Sequence, residues 1–489
     1  MTQTASKRVI NGWAMYDWAN SVYNLVITTT FFPIYFTKAT AHHFRSDTIP
    51  FLGMRVNNSS LYSYALSAAY LVIALLYPVL TSIADTRGNK YRFMQFFCYM
   101  GALGCSALYL FDGSNVGLGV FCFILASMGY VGSLVFYNAY LPEIAAPEDQ
   151  DRVSAKGFSY GYIGSVLMQV LGFGLVMVMS DKPFLSLRLN FLLVGLWWAG
   201  FAQFTFAVLP RSNRQAAAAT NVFKTGFAEV KKVYAEVKKL AVLKRYLRGF
   251  FFYSIGVQTV MTAATLFGSN LLKLDDKKLI ITIVLIQLVA IVGATWMSKL
   301  SARYGNIRVL MGVVVFWIMI CISAYITAGQ AENLKPFHDK IAELQQQKED
   351  LFAKKGQMTA EAFDRADADV EGELSRWQHD LEPHQEPIEY SFYLLALGVG
   401  LVMGGIQSLS RSTYSKLMPP TKDTASYFSY YDLTEKISIV IGMFTFGFIN
   451  QITGSMKNAI IFLIVFFIIG LAWLFSAQAR QGRQPAPVI

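Results

Sequence analysis

Apolar residues in this chain come in runs of about twenty, the length a helix needs to cross the hydrocarbon core of a bilayer. Twelve such runs are legible, at 12–37, 61–83, 93–112, 116–141, 157–180, 189–209, 247–271, 279–300, 308–328, 390–417, 427–452 and 457–477. The pattern predicts an all-α polytopic membrane protein with twelve transmembrane helices. Two long polar stretches interrupt the series. Residues 210–246 contain VFKTGFAEVKKVYAEVKKLAVL, whose apolar positions sit near helical spacing, which predicts an amphipathic helix lying on an anionic leaflet. Residues 329–389 hold two polar helical stretches around Gly356, which predicts a helical hairpin outside the membrane. The expected organisation is a six-helix bundle over 1–209, a basic linker over 210–246, a second six-helix bundle over 247–328 and 390–477, the insertion at 329–389 and a tail at 478–489.

Composition narrows the class. Of 489 residues, 54% are apolar and only 15% charged, against about 25% charged in soluble domains. That excludes a soluble enzyme, a secreted disulfide scaffold and a disordered protein. The four cysteines, Cys98, Cys105, Cys122 and Cys321, all fall inside apolar runs and read as small core residues. A net charge of +11 would suggest nucleic acid in a soluble protein; here it has a different source. Arg87, Lys90, Arg92, Arg152, Lys156, Arg303 and Arg308 lie in short loops on one side, and Lys231, Lys232, Lys238, Lys239, Lys244 and Arg245 lie in the linker. On the other side, residues 331–389 carry 15 acidic and 7 basic residues. The positive-inside rule then places both termini in the cytoplasm of a protein expected in the plasma (inner) membrane. No phosphate-binding Gly-x-x-x-x-Gly-Lys-Ser/Thr loop is present, and His42-His43 lacks further ligand spacing, so neither a cofactor nor a metal is expected.

The halves echo each other. Gly12-x-x-x-Tyr16 opens span one and Gly249-x-x-x-Tyr253 opens span seven. Gly88-Asn89-Lys90-Tyr91-Arg92 joins spans two and three, and Gly305-Asn306-Ile307-Arg308 joins eight and nine. Phe158-Ser159-Tyr160 starts span five and Phe428-Ser429-Tyr430 starts span eleven. Three echoes in the same order point to a 6+6 duplication, as in transporter repeats.

Ionisable groups within spans are costly and face a cavity or a partner. In span one, Asp17, Asn20, Ser21, Asn24 and Thr28 share one helical face, which is read as a wall of a transport pathway or, alternatively, as a packing face. Span ten offers Gln407, Arg411 and Tyr414, and span eleven Phe428, Tyr431, Asp432, Glu435 and Ser438. Arg411 and the two acids lie at similar depth, so an ion pair of Arg411 with Glu435 or Asp432 is expected, either structural or switching. Tyr16, Tyr137 with Asn138, and Tyr253 with Gln258 complete the candidate pathway. With no histidine in the spans, Asp17, Asp432 and Glu435 are the candidates for proton coupling or ion pairing. Asp85, Glu143, Arg152 and the 418–426 loop are candidate gate elements, by position alone.

Taken together, the sequence resembles the major facilitator superfamily, in its UMF1, Atg22-like branch. The residues that carry this are Tyr16-Asp17-Trp18-Ala19-Asn20-Ser21, Leu141-Pro142-Glu143-Ile144-Ala145, Arg152-Val153-Ser154 with Gly161-Tyr162-Ile163-Gly164, and Gly404-Gly405-Ile406-Gln407-Ser408-Leu409-Ser410-Arg411-Ser412. Asp85, Gly88 and Lys90 match the superfamily's loop pattern, while Thr81, Thr86 and Asn89 depart from it. The resemblance implies a 6+6 fold and secondary transport by alternating access, of an amino acid or related metabolite, with protons as a candidate coupling ion. Sugar, nucleoside or peptide cargo is the alternative within that class. A lipid flippase or a non-transporting receptor or scaffold is the alternative outside it.

Overall fold

The computed structural model describes residues 3–211, 222–274 and 276–482. Span one is built from helix Lys7–Val22, a π-helical segment Tyr23–Phe31 and helix Phe32–Phe44. Spans two to six are Asn58–Arg87, Lys90–Ala107, Val116–Asn138, Gln150–Val178 and Pro183–Phe206. Span seven is Ala241–Leu266, running into a second π-helical segment, Phe267–Leu271. Spans eight and nine are Asp276–Tyr304 and Asn306–Asn333; span ten is the last part of Ala360–Leu417; eleven and twelve are Thr424–Thr453 and Met456–Gln481. Among the described residues, ten helices are long and apolar enough to cross a bilayer; the other two spans, one and seven, are those carrying π-helical segments. In span one that segment frees backbone acceptors: Leu25 O accepts from Thr29, Thr30 and Gln169, and Thr28 O from Tyr62.

The packing pattern repeats with a pseudo-twofold. Span one packs on five and six as span seven packs on eleven and twelve; three packs on six as nine packs on twelve; two packs on four as eight packs on ten. Between the halves, span five meets eight as eleven meets two, and five meets ten as eleven meets four. The loop echo has a backbone cause: Gly88 closes span two at φ 65° and Gly305 precedes span nine at φ 85°, values an L side chain resists. In span ten, Gly400 and Gly404 lie against the backbone of span eight at Ile286 and Ala290, where a Cβ would collide, the small-residue contact common between membrane helices. The four cysteines are free and buried in the bundle.

Three features differ from the sequence expectation. A β-hairpin, Thr48–Phe51 with Met54–Asn57, follows span one; Leu52 and Gly53, both at positive φ, make its two-residue turn. Its strands are too short to alternate visibly. Span ten does not begin at 390: one helix of 58 residues, Ala360–Leu417, runs through Pro383 and Pro387 and includes the second arm of the insertion. The first arm, Lys335–Ala353, packs antiparallel to it, with Phe352 on Phe363, Lys348 paired to Glu371 and Phe337 on Trp377. In the linker, helix Val222–Lys239 buries Val233 and Val237 and packs on spans two and eleven, so it docks under both halves and is not simply laid on a leaflet. Residues 212–221 of that linker and 483–489 of the tail lie outside the described residues.

Candidate translocation site

The polar face of span one turns into the protein. Asp17, Asn20 and Thr28 are buried and Asn24 is half-buried; Ser21 lies against Gly161 of span five. Asp17 sits ten residues into its helix and Arg411 six from the end of span ten, roughly 15 and 9 Å in. They meet across the two halves. Arg411 donates from Nη1 and Nη2 to Asp17 Oδ2, both at 3.4 Å, and from Nη1 to Asn138 Oδ1 at 3.3 Å. Its Nε donates to Ser154 Oγ and its Nη2 to Ser154 O, each at 2.9 Å. Tyr137 Oη donates to Asp17 Oδ2 at 2.7 Å. The guanidinium plane lies 4.3 Å from the Phe158 ring centre, 4.9 Å from Trp13 and 5.5 Å from Tyr137, an aromatic box that suits a cation.

The partner of Arg411 therefore differs from the expectation. Pairing with Glu435 or Asp432 is replaced by pairing with Asp17, because span one reaches the same depth from the opposite half. Glu435 instead pairs with its neighbour Lys436 at 2.9 Å and accepts from Gln258 at 3.0 Å. Asp432 Oδ1 accepts from Asn138 Nδ2 at 3.4 Å. Asn138 thus touches both the arginine and the acid.

The other pathway candidates divide. Gln407 Oε1 accepts from Tyr162 Oη across the halves at 2.7 Å. Tyr253 bonds Ser410 Oγ at 2.7 Å within the second half, and Tyr16 lies tilted against Tyr137 within the first, ring centres 5.2 Å apart. Asn20 is buried with both amide atoms unpartnered. Trp13, Ser154, Phe158 and Lys436 belong to this region and are not among the sequence candidates for it: an aromatic or serine in an apolar run carries no distinguishing signal, whereas Lys436, a charge inside span eleven, carries the same signal as Asp432.

Two clusters tie the halves together at the loop end. In one, Asp85 of span two accepts from the backbone N–H groups of Ala425 and Ser426 at 3.2 and 2.8 Å, capping span eleven. Beside it Lys90 pairs with Glu143, and Thr424 donates to Glu143 at 2.9 Å. The pseudo-equivalent cluster centres on Asp151 of span five, which accepts from Ser301 at 2.7 Å and from Asn306 and Lys416 at 2.6 Å each. Asp85, Glu143 and the 418–426 loop thus lie at the junction of the halves, whereas Arg152 does not. It is exposed and pairs with Asp149 on its own side, where the Thr4 hydroxyl and Arg152 together hold the Asp149 carboxyl below its usual range.

Gly157 marks how tightly the Arg411 site is built. A Cβ there would stand 2.5 Å from Asp17 Oδ2, 2.9 Å from Tyr137 Oη and 3.0 Å from Arg411 Nη2. Gly157→Ala is expected to force Asp17 and Arg411 apart at a cost of about 1–3 kcal/mol. Solute counterflow in proteoliposomes should fall well below wild type while the protein stays monodisperse; unchanged counterflow would contradict this geometry.

The sequence matches the family described as "Vacuole effluxer Atg22 like" over residues 5–340 and 383–487. The chain belongs to this family. It is 25% identical over 473 residues to the Bacillus subtilis "Uncharacterized MFS-type transporter YxiO", covering 95% of this chain and 93% of that one. It is 22% identical over 597 residues to autophagy-related protein 22-1 of Penicillium rubens, covering 99% and 92%. In structure it is similar to the human organic anion transporter MFSD10 (TETRAN), with TM-score 0.64, 11% identity and coverage of 96% and 99%; that likeness speaks for the fold alone. This Atg22-like protein is a multi-pass membrane transporter of the major facilitator type with the 6+6 fold.

Proposed function

We propose that this protein is an alternating-access carrier of a small polar solute, an amino acid or related metabolite, in the plasma (inner) membrane, with both termini and the basic linker cytoplasmic. In this reading Tyr16, Asp17, Asn20, Asn24, Tyr137, Asn138, Tyr253, Gln258, Gln407 and Arg411 line the pathway. The Asp85, Glu143 and Asp151 clusters close its cytoplasmic end.

One observation carries the reading. Near the Arg411–Asp17 pair, both amide atoms of Asn20, one turn along span one from Asp17, and Oδ2 of Asp432, whose Oδ1 shares Asn138 with Arg411, are buried without hydrogen-bond partners. Orphaned polar atoms are rare in native interiors. In this reading the solute and its water supply the missing partners of Asn20 and Asp432 in another state. Arg411 suits a carboxylate, since its planar fork can hold two oxygens at once. Exchanging Asp17 for a solute carboxylate would unlock the only ion pair joining the halves at that depth among the described residues.

The experiment is uptake of a mixed, labelled amino-acid pool by proteoliposomes holding the purified full chain. Flux of pool members, inhibited by excess unlabelled solute, is the expected result. Flux only of sugars, nucleosides or peptides would move the substrate class and leave the carrier reading standing. No flux of any class would overturn it.

A further inference from the structure

We propose that Asp432 is the group that carries one proton through the transport cycle, bound at Oδ2 and released on the opposite side of the membrane. This rests on the carrier reading above. It selects one acid from the three that the sequence offers.

The interior between the halves carries one negative charge in excess. Among the described residues, the inter-half region between the loop-end clusters and the Gln169–Gln287 contact holds Asp17, Asp432 and Glu435 against Arg411 and Lys436. Two of the acids have bases in contact: Asp17 has Arg411 and the Tyr137 hydroxyl, and Glu435 has Lys436 and the Gln258 amide. Asp432 is the remainder, one negative charge with no base in contact. Leaving such a charge in a low-dielectric interior is expensive, and the usual resolution is neutralisation.

The geometry at Asp432 points the same way, independently of that charge balance. Asp432 is 4% exposed, its Oδ1 accepts from Asn138, and its Oδ2 is buried with no partner. An anionic carboxylate oxygen with nothing donating to it is the costly case; a proton on that oxygen removes the charge.

Titratable and polar groups reach the Asp432–Glu435 region from spans two, four, seven and ten. Span two presents Tyr70 and Tyr77, span four Tyr130 and Asn138, span seven Tyr253, and span ten Arg411 and Tyr414. Span eleven itself adds Tyr431, Glu435 and Lys436. Lys436 is held by Glu435 and lies 5.6 Å from the Tyr70 ring of the opposite half. Glu236 of the linker helix is taken by Tyr427, five residues away along span eleven.

Asn138 connects the proton to the solute site. Its Nδ2 donates to Asp432 and its Oδ1 accepts from Arg411 Nη1. When Asp432 is ionised, the amide is held and the carboxylate attracts Arg411. When Asp432 is protonated, that hold weakens and Arg411 keeps Asp17 alone. Proton loading and the Arg411 partner choice are thereby coupled through one side chain. The step is a simple transfer: a proton from water adds to Oδ2 on one side, and the same proton returns to water on the other.

The test has two arms on the full chain in lipid. In the first, infrared difference spectra are recorded as pH is stepped. Wild type is expected to show a protonated buried-carboxyl band that titrates, and Asp432→Asn is expected to lose it. A wild type without such a band, or an Asp432→Asn variant that retains it, overturns the proposal, whether or not any solute has been found. In the second arm, proteoliposomes take up the labelled amino-acid pool under a pH gradient, a sodium gradient or none. Loss of pH-driven accumulation in Asp432→Asn, with exchange of preloaded solute still measurable, supports the proposal. Accumulation in Asp432→Asn equal to wild type, or accumulation in wild type driven by sodium and not by pH, overturns it. Absence of flux in wild type counts against the carrier reading alone, and the spectroscopic arm still decides the proton site.

Discussion

Arg411→Lys is expected to abolish solute flux while leaving a folded, monodisperse protein. The wild-type guanidinium reaches Asp17, Asn138, Ser154 Oγ and Ser154 O at once, with the Trp13, Phe158 and Tyr137 rings close around it. A lysine ammonium keeps the charge but is a compact point with rotatable donors, and it cannot span those acceptors or stack as a plane. Arg411→Ala is expected to be worse for stability, because Asp17 would stay buried without its base; losing one member of a buried pair costs about 3–5 kcal/mol. Combining it with Asp17→Asn should recover much of that stability and none of the flux. Thermal unfolding in detergent and counterflow in proteoliposomes measure the two effects separately. Arg411→Lys with flux near wild type would remove Arg411 from the pathway.

Asp151→Ala is expected to open the loop end of the bundle. The carboxylate is buried and takes hydrogen bonds from Ser301, Asn306 and Lys416, all in the other half. Charge-assisted contacts of this kind are the strong ones, and breaking the buried pair with Lys416 costs about 3–5 kcal/mol. That cost falls on the closed arrangement alone, so the closed-to-open ratio should drop by about a hundredfold or more. Spin labels at Glu148 and Lys422, both exposed on facing loops, should report a longer distance in the variant. An unchanged distance distribution would show that this cluster does not hold the halves together.

These two residues also show what was legible in the sequence. Spans, repeat and fold followed from apolar run length and three short echoes, since a bilayer forces nearly all of the chain into helices. Asp17 and Arg411 stood out because a charge inside an apolar run is expensive. Their pairing did not, since depth alone cannot choose among several spans that reach the same level, and the two lie 394 positions apart. At the loop end, charges are ordinary and give no signal. Arg152 was selected there and Asp151 was not, yet one residue along a helix is a turn of about 100°, which points Asp151 between the halves and Arg152 to solvent. The β-hairpin and the join between insertion and span ten escape for a related reason: four-residue strands are too short to show a period, and an apolar run marks where a helix enters the bilayer near 390, not where it starts at Ala360.

The uninterrupted helix from Ala360 to Leu417 has a practical corollary. From Phe363 in the insertion hairpin to Arg411 is 48 residues, about 72 Å of helix at 1.5 Å per residue. One degree of tilt at the arginine then sweeps the far tip by about 1.3 Å. If the second half rocks as proposed, the hairpin works as a needle on a dial, and a fluorophore pair placed at its tip would register that motion long before a label near Arg411 could resolve it.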